Sequence, residues 1–443
     1  MSSLTGPAPL KTSPLRKIAR DIRYERRATV PYPPGETRFS MTRTRRFAED
    51  PLPVLLEAYE KHGPVFTVRI LHGNSVFLLG PEANHHVLVS NAANFSYREG
   101  YYSDLFPLLG DGLLTIDREF HRRSRRIMLP AFHRQQIAAS IATIDEEVDR
   151  ALVPWRDGQK IDLYEWTREL ALRIAMRALF GLRNETAPQA AVDFEQALGF
   201  YAADYLLQAL RGPRTPWARM KAARARLDVL IYGEIRRRRA SGERGTDILS
   251  LLLDAEDEAG ASLSEAHIRD EVMTLLFAGH DTTTSTISFL FYELSHNPEH
   301  AAAPMGQLID ETLRMYPPAW IAPRRALGEF EVCGQRVPAG AAVNYCSWAS
   351  HHLPDVWPDA WRFDPARFTP AAKEALQKGA YVPFGGGSRT CIGMRFAQAE
   401  VDVIGRRILE RWRLDLDPGY VLAIRQMPTI SPKHGMPMTV RAA

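Results

Sequence analysis

The stretch Phe384-Gly-Gly-Gly-Ser-Arg-Thr-Cys391-Ile-Gly393 is the most informative part of this chain. It places one cysteine in a glycine-rich loop beside an arginine, and a predicted helix begins directly after it, at Met394. A thiolate stays ionised at neutral pH where positive charge and backbone N–H donors surround it. Glycines let the backbone aim such donors at one atom, and a helix N-terminus adds partial positive charge. The loop therefore predicts a site for one exposed, stabilised thiolate.

Three interpretations of Cys391 are open on general chemistry. Most free cysteines are small buried hydrophobic side chains, and we interpret Cys333 and Cys346 in this way because neither lies in a loop of this kind. A catalytic nucleophile needs a base, and the local motif supplies none. A zinc ion needs three further ligands, and the chain has no C-x-x-C pair. One thiolate suffices for a metal that arrives already held by four nitrogens, as iron does in haem.

The pattern F-x-x-G-x-R-x-C-x-G resembles the haem-ligand loop of the cytochrome P-450 family, of the soluble bacterial type. The resemblance extends from about Pro51 to the end of the chain. It implies a mainly α fold with a small β region, as one large domain, and heme b (iron protoporphyrin IX) as cofactor, with the Cys391 sulfur as iron ligand. Thiolate ligation in this family favours O–O bond cleavage. The other loop residues that the resemblance places at the cofactor are Phe384, Gly387, Arg389 and Gly393.

Composition is compatible with this fold. The chain has 443 residues, of which 45% are hydrophobic, enough for one large core. Three cysteines argue against a disulfide framework and for a reducing compartment. The N-terminus lacks the apolar run of a secretory signal, and no apolar stretch approaches the roughly 18 residues that span a bilayer. We therefore expect a soluble, cytoplasmic protein. A net charge of +4 is too small to indicate a nucleic-acid partner.

The N-terminus differs in character from the remainder of the chain. Residues 11–27 contain seven basic and two acidic side chains, and Pro31-Tyr-Pro-Pro-Gly35 separates them from the main body of the sequence. We predict a basic, poorly ordered arm over residues 1–38 and the monooxygenase domain over 39–443. A solvated terminus is the simplest interpretation of the arm. The alternative is a weak peripheral contact with anionic lipid.

Periodicity gives a coarse order of elements. Pro53–His62 is predicted to be a short helix, and the segments 65–70 and 75–79 a hairpin. Ser262–Ser295 is predicted to be a helix of about 50 Å, with Ser262 and Glu265 as a capping box. Its middle, Ala278-Gly-His-Asp-Thr-Thr283, contains a glycine and adjacent hydroxyls that favour a local distortion. Short strands are expected near residues 330–343 and 414–441.

The family resemblance assigns catalytic roles within this long helix. It makes Asp281 the acid and Thr282 the alcohol that together deliver protons to O₂ in a mostly dry pocket. Thr283 is interpreted as a neighbour that supports the helix. Relatives that use peroxide directly lack the pair, so its presence favours the O₂ route.

Cationic side chains are predicted to bind the haem propionates. His121 and Arg125 lie four residues apart and so share one helix face. Arg324 and Arg389 match two further propionate contacts of the family. The remaining arginines near His121 are interpreted as a surface that meets an acidic electron donor; these are Arg122, Arg123 and Arg126.

A structural ion-pair triad is also implied. Glu311 and Arg314 form an E-x-x-R pair, and Asp364-Pro-Ala-Arg367 resembles the segment that supplies the family's third member, Arg367. The chain departs from the family just before this point. Only twelve residues separate Pro298 from Glu311, where relatives usually carry a further full helix.

The expected function is a haem monooxygenase that inserts one oxygen atom from O₂ into an apolar substrate, a fatty acid or a terpenoid, with a fatty acyl chain ranked first. Electrons come from a separate ferredoxin- or flavodoxin-type donor with its reductase, and a monomer is expected. The alternatives are a non-oxygenating haem isomerase or dehydratase and a haem-based binding or sensor protein. Apolar walls bind by area and shape; the predicted pocket residues are Tyr101, Tyr102, Leu105, Ala278, Trp320 and Ile321.

Overall fold

The structure is a computed structural model, and it describes residues 13–181, 188–203, 205–243, 245–256 and 260–443. Most of these residues are helical. The α-helices, in chain order, are α1 (Pro14–Arg26), α2 (Met41–Glu49), α3 (Pro51–His62), α4 (Pro81–His85), α5 (Phe106–Leu109), α6 (Arg118–Met128), α7 (Arg134–Leu152), α8 (Leu163–Phe180), α9 (Pro188–Ala202), α10 (Tyr205–Ala209), α11 (Pro216–Ser241), α12 (Ile248–Asp254), α13 (Glu265–His296), α14 (Met305–Met315), α15 (Ser347–Ser350), α16 (Pro370–Ala375) and α17 (Met394–Leu409).

The strands are short and form four small sheets. In chain order they are β1 (Gly35–Glu36), β2 (Val65–Ile70), β3 (Gly73–Leu78), β4 (Phe95–Ser96), β5 (Lys160–Asp162), β6 (Ile321–Ala326), β7 (Phe330–Val332), β8 (Gln335–Val337), β9 (Ala342–Cys346), β10 (Trp412–Leu416), β11 (Ile424–Arg425), β12 (Ser431–Pro432) and β13 (Pro437–Ala442). The sheet orders are β1-β2-β3-β9-β6-β4, β10-β13-β5, β11-β12 and β7-β8.

Contacts divide the chain into two compact units. The first, here called the helical unit, comprises the described residues within 105–309 and 392–443, and the second, the sheet unit, comprises residues 13–104 and 310–391. Each unit is assembled from separate stretches of chain. The two units therefore do not follow one another along the sequence as separate domains. The chain is one large domain, as predicted.

The helical unit is built around α13. Because side chains on all of its faces are buried, this helix runs through the interior of the unit, with α8, α11 and α17 packed against it. Its N-cap is Ser264, whose hydroxyl accepts a hydrogen bond from the His267 N–H at 3.2 Å. The sequence placed the cap two residues too early, at Ser262. Ser262 instead pairs with Glu256 in an isolated β-bridge, which leaves Ser264 as the first residue free to cap.

The predicted distortion in the middle of α13 is wrong, because the helix is continuous from Glu265 to His296. The hydroxyls of Thr282, Thr284 and Thr286 each donate to the carbonyl four residues earlier, at 2.7, 2.9 and 2.9 Å. These bonds supplement the backbone ladder rather than replace it. The buried helix thus contains these polar side chains without an interruption of its backbone.

The sheet unit has the six-stranded sheet as its centre. Antiparallel β2 and β3 form the predicted hairpin, with Val65 opposite Leu78, and β3 continues in parallel onto β9. Buried aliphatic side chains from these strands pack with Val87 and Leu88. The arrangement fixes β6 against β9, so that Arg324 pairs with Val343. Tyr345 lies two residues further along β9.

Residues 13–38, in the predicted arm, include an ordered helix, which differs from the poor order expected of this stretch. Asp21 on α1 is buried and accepts a hydrogen bond from Arg325 at 2.5 Å. His72 lies 3.2 Å from the other oxygen of the same carboxylate. Buried ion pairs of this kind fix a helix in place, because separating them leaves an unpaired charge. Among the described residues, no helix combines the length and apolarity needed to cross a membrane.

Candidate functional site: a thiol loop and a polar helix centre

The cysteine loop has the geometry that its glycines require. Gly385 and Gly387 have positive φ, +69° and +60°, and a Cβ on Gly387 would lie 2.3 Å from the Leu88 carbonyl oxygen. The N–H of Cys391 donates to the Phe384 carbonyl at 3.0 Å and closes the loop. Only glycine fits such a close approach with this backbone. The loop therefore fixes the position of Cys391.

The three cysteines differ in exposure. Cys391 is exposed, whereas Cys346 is buried and Cys333 is half-buried. Burial raises the pKa of Cys346 to about 12, and burial together with the nearby Glu82 carboxylate raises the pKa of Cys333 to about 11. A thiol with so high a pKa is a poor metal ligand, because the thiolate is the ligating form. Cys391 is thus the cysteine that can ligate.

Two arginines and several phenols form a cluster in the sheet unit. The Arg324 guanidinium carbon lies 4.5 Å from the Tyr97 ring centroid and 4.8 Å from that of Tyr345. Arg389, from the cysteine loop, lies 4.3 Å from the same Tyr97 ring. Arg324 is only 2% exposed, and it donates to the Tyr97 hydroxyl and to the Ala322 carbonyl. In the part of the chain that the structure describes, no carboxylate lies within ion-pair distance of Arg324.

A buried guanidinium without a carboxylate is costly. A ligand that carries carboxylates would supply the missing negative charge, and Arg324 and Arg389 would hold it by charge-assisted hydrogen bonds. Together with the exposed thiol of Cys391, this donor set fits a haem, which brings both an iron that accepts a thiolate and two propionates.

The other two predicted propionate ligands lie on α6, in the helical unit. His121 is buried and Arg125 is half-buried, one turn apart. They therefore share a helix face, as the spacing predicts. That all four cations bind one cofactor stays a prediction, because His121 and Arg125 belong to a different unit from Arg324 and Arg389.

The centre of α13 carries the acid and the alcohol. Thr282 is half-buried and donates its hydroxyl to the Ala278 carbonyl at 2.7 Å. Asp281 is 5% exposed, and its Oδ1 lies 3.1 Å from His280 Nδ1 and 4.0 Å from Arg168 Nε. Burial opposes ionisation of Asp281. The adjacent His280 ring and the positive charges of Arg168 and Arg425 outweigh burial and lower its pKa, so this carboxyl is ionised at neutral pH.

A second carboxyl near this helix, that of Glu400, has a raised pKa and not a lowered one. The Thr283 hydroxyl donates to Glu400 Oε2 at 2.8 Å, and Glu400 lies on α17. Burial raises the Glu400 pKa to about 8, and the bond from Thr283 only partly opposes this. The sequence interpretation of Thr283 as a supporting residue missed this partner. Glu400 comes nine residues after Cys391, but no local pattern marks it as buried.

Three more residues in this region were missed. His280 lies within the Ala278–Thr283 motif, in which the family resemblance assigns functional roles only to Asp281 and Thr282. Arg168 and Glu195 reach the same place from α8 and α9. Arg168 pairs with Glu195, and its carbonyl oxygen lies 3.1 Å from His280 Nε2, across 112 residues of sequence. A separation of that size leaves no local signal.

The loop that precedes α6 is held by charged side chains of α11 and α13. Asp270 and Glu271 accept hydrogen bonds from the backbone N–H groups of Asp111 and Leu113, at 2.7 and 3.0 Å. Arg224 on α11 donates to the Pro107 carbonyl at 2.6 Å. Buried backbone groups in a loop need such partners. These contacts fix residues 107–113, which follow the predicted pocket residue Leu105, against the long helix.

The predicted pocket residues fall on both units. In the helical unit, Leu105 is buried and Ala278 is half-buried. The others belong to the sheet unit, so a shared pocket stays a prediction. The Tyr101 hydroxyl donates to Asp21 at 3.0 Å, Tyr102 stacks on Tyr97 at 5.3 Å, Trp320 packs edge-on against Trp348 at 6.1 Å, and Ile321 is half-buried on β6.

The structure brings the predicted triad together within the sheet unit. Arg314 donates two hydrogen bonds to the Glu311 carboxylate, at 2.7 and 2.8 Å, and both side chains are fully buried. Arg367 Nε lies 3.6 Å from the same carboxylate. Arg314 also donates to the carbonyls of His351 and Ala360. The pair therefore fastens α14 to the irregular segment before the cysteine loop.

Comparisons with known proteins give one consistent family. Residues 32–303 and 305–434 match the family model described as Cytochrome P450. The chain is 34% identical over 399 residues to cyclooctat-9-en-7-ol 5-monooxygenase of Streptomyces melanosporofaciens, covering 83% of this chain and 86% of that protein. It is 29% identical over 390 residues to pentalenene oxygenase of Streptomyces avermitilis, covering 82% and 87%.

The solved structures agree. The retinoic acid-bound cyanobacterial CYP120A1 superposes with a TM-score of 0.83 at 25% identity, over 94% of this chain and all of that one. The cytochrome P450DA heme domain gives a TM-score of 0.82, also at 25% identity. The mainly α fold with a small β region, predicted from the cysteine loop, is thereby confirmed.

Proposed function

Because the chain belongs to the cytochrome P450 family and is a haem monooxygenase, we propose that it inserts one atom of O₂ into a terpenoid-like substrate, with electrons from separate redox partners. The observation that carries the proposal is the exposed Cys391 thiol in its fixed loop, in a chain whose other thiols are not exposed. The buried, carboxylate-free Arg324 supports a cofactor with propionates. Heme b is the form that we propose.

The protein's own residues would divide the work between binding and proton transfer. Cys391 would ligate iron as a thiolate, and Arg324 and Arg389, which belong to the same unit, would hold the propionates. Haem supplies the reductive activation of O₂ when it is bound. Asp281 is ionised and buried, so it can take up a proton and pass it on. The Thr282 hydroxyl, one residue away, can hold a water or donate a hydrogen bond at the reacting oxygen.

The substrate proposal rests on the pocket segments and on two relatives. Leu105, Phe106, Leu108 and Ala278 offer few polar anchors, and such walls bind by shape and area. Relatives named for cyclooctat-9-en-7-ol and for pentalenene favour a terpenoid over the fatty acyl chain that the sequence ranked first. A fatty acid remains the second candidate.

Turnover in labelled oxygen tests the proposal. Purified holoprotein, surrogate ferredoxin or flavodoxin with its reductase, and NAD(P)H are incubated under ¹⁸O₂ with a panel of terpenes and C10–C18 fatty acids. We expect NAD(P)H oxidation that depends on a terpenoid, and one ¹⁸O atom in the product. An unlabelled, rearranged or dehydrated product would identify an isomerase or dehydratase. A spectral shift without any product would identify a binding or sensor protein.

The partner proposals rest on exposed charge. Arg122 and Arg126 are exposed on α6, and we propose that they meet an acidic electron donor. Residues 1–38 are kept as an N-terminal arm, in which Leu15 is 77% exposed beside the exposed Arg16 and Arg23. Cosedimentation with anionic but not neutral vesicles would support a peripheral lipid contact there. A cytoplasmic monomer completes the proposal.

A further inference from the structure

A cavity of about 190 Å³ lies beside Asp281, entirely within the helical unit. At about 30 Å³ per water molecule, it has room for about six. Charged and hydroxyl side chains enter it from α8, α9, α13 and the segment around β11 and β12. The polar lining residues include Tyr164, Arg168, Glu195, Asp281, Arg425 and Ser431.

Several buried polar atoms at this cavity lack a hydrogen bond of good geometry within the described chain. Two of them, Asp281 Oδ1 and Arg168 Nε, belong to lining residues, and His280 Nδ1, which lies beside Asp281, lacks such a bond as well. Buried polar atoms are normally satisfied by protein or by ordered water. A polar cavity of this size next to unsatisfied atoms is therefore a place for water, and the water would contact Asp281 directly.

His280 connects the two carboxylates of this region. Its side chain is fully buried, with Nδ1 3.1 Å from Asp281 Oδ1 and Nε2 3.3 Å from Glu195 Oε1. Nε2 also lies 3.1 Å from the Arg168 carbonyl oxygen. Only the contact of Nε2 with the Arg168 carbonyl has hydrogen-bond geometry, whereas Nδ1 lies beside the Asp281 carboxylate without such a bond. An imidazole in this position can release a proton from Nδ1 and regain one there while Nε2 stays bound to the carbonyl.

Along the line Glu195–His280–Asp281, solvent exposure is greatest at Glu195. The side chain of Glu195 is 33% exposed, whereas those of Asp281 and His280 are 6% and 0% exposed. Burial raises the pKa of Glu195, although the charges of His280 and Arg168 oppose this. Glu195 is therefore a carboxyl that solvent can reach and that binds a proton more readily than an ordinary glutamate.

We propose that Glu195, His280 and Asp281 form a proton relay, with water in the adjoining cavity, that reloads Asp281 from solvent during turnover. The inference rests on the proposed monooxygenase function. Reduction of O₂ with insertion of one atom consumes two protons and two electrons, and the second oxygen leaves as water. The redox partner supplies the electrons. A solvent proton binds Glu195 and passes into the cavity water, and His280 gives its Nδ1 proton to Asp281 while Nε2 keeps its proton on the Arg168 carbonyl. The cavity water then reprotonates Nδ1, and solvent restores Glu195.

Arg168 has a positioning role in this scheme. Its guanidinium pairs with Glu195 and lies 4.0 Å from Asp281, so it holds both carboxylates on the two sides of His280. It does not pass protons itself, because arginine does not release its proton in proteins. The other charged and titratable groups that face the pair are Tyr164, Glu165 and Arg425.

Two variants test the relay. His280→Gln keeps a hydrogen-bonding side chain but cannot carry a proton through, and Glu195→Gln removes the proton acceptor at the half-exposed end, where folding is least at risk. With each, we expect kcat to fall about tenfold, a corresponding increase in the peroxide released per NAD(P)H and a larger solvent isotope effect, with KM unchanged. Asp193→Asn is the matched control, because Asp193 lies on α9 like Glu195, pairs with Arg226 of α11 and does not line the cavity.

A second readout does not depend on turnover. In the reduced, CO-bound holoprotein, the ring ¹⁵N signals of His280 should move in Glu195→Gln and in Asp281→Asn, and should stay in place in Asp193→Asn. The relay is overturned if His280→Gln and Glu195→Gln remain as coupled as the parent protein, or if neither carboxylate variant moves the His280 signals. A parent protein without any oxygenation would instead overturn the proposed function.

Discussion

Thr283 on α13 donates its hydroxyl hydrogen to the Glu400 carboxyl on α17, 2.8 Å away in the interior of the helical unit. Both side chains are almost completely buried, and burial raises the Glu400 pKa to about 8. The helix that carries the predicted acid and alcohol is thus joined to the helix that follows the cysteine loop. A carboxyl in this state is protonated at neutral pH, so the link requires no buried charge.

This pair makes stability depend on pH. Because the folded-state pKa of Glu400 lies above the ordinary glutamate value, the folded protein binds more protons between about pH 5 and 8, and its free energy of unfolding falls as the pH rises through that window. Glu400→Gln should remove this part of the fall. Urea unfolding at several pH values measures it, with exposed Glu374→Gln as control. Parallel pH profiles for Glu400→Gln and the parent would contradict the assignment.

Substitution of each cysteine tests the iron ligand. Cys391→Ala should abolish the absorption band of thiolate-ligated haem in the reduced, CO-bound protein, because the other two thiols are buried or half-buried with raised pKa values. Cys333→Ala and Cys346→Ala should keep the band. If all three variants behave alike, Cys391 is not the ligand.

Removal of the Thr282 hydroxyl should uncouple oxygen reduction. Thr282→Ala is expected to keep haem and substrate binding but to release peroxide in place of product, with coupling about tenfold lower, a loss typical of a removed proton donor. Thr286→Val is the control, since that hydroxyl makes the same bond to a carbonyl one turn later. The measurement is the amount of product formed per NAD(P)H consumed. An unchanged ratio in Thr282→Ala would refute the role of the Thr282 hydroxyl in proton delivery.

Breaking the buried Glu311–Arg314 pair should be strongly destabilising. Arg314→Met leaves a buried carboxylate without its partner, and we expect a loss of about 3–5 kcal/mol in the free energy of unfolding. Asp402→Asn breaks an exposed pair with Arg406 and should cost at most about 1 kcal/mol. Chemical denaturation compares the two, and similar losses would mean that Glu311 reaches solvent when unpaired.

The loop before α6 should loosen when Gly112 gains a side chain. A Cβ there would lie 2.0 Å from Thr274 Oγ1, so Gly112→Ala must displace the loop from α13. Hydrogen exchange should then accelerate about tenfold or more at the amides of Asp111 and Leu113, which donate to α13 carboxylates.

The double variant Gly112→Ala/Thr274→Ala should recover part of the protection, because it removes the nearest clashing atom. Gly306→Ala is the control, since no atom lies within 4 Å of its added Cβ. Equal exchange in Gly112→Ala and the parent would show that the loop accommodates the methyl group without leaving the helix.

Much of the fold could be predicted from sequence because its signals are local. The cysteine motif predicted the family and the fold class, and two strand-like segments separated by His72-Gly73-Asn74 predicted the hairpin of β2 and β3. The cap of α13 was placed two residues early, because Ser262 and Ser264 are both capping residues and only the bridge to Glu256 distinguishes them. The predicted distortion failed for a related reason, since adjacent threonines can bond within the helix instead of opening it.

The sequence by itself determined the identity of the thiol loop and of the Asp281–Thr282 pair, because glycine torsions and residue order act over a few positions. Only the tertiary structure decided which distant groups surround them. Arg168, Glu195 and Glu400 reach α13 from other helices, the last across 117 residues of sequence. The charge state of a buried group depends on those neighbours and on the water excluded by packing, so Asp281 is held ionised and Glu400 neutral although both are carboxyls.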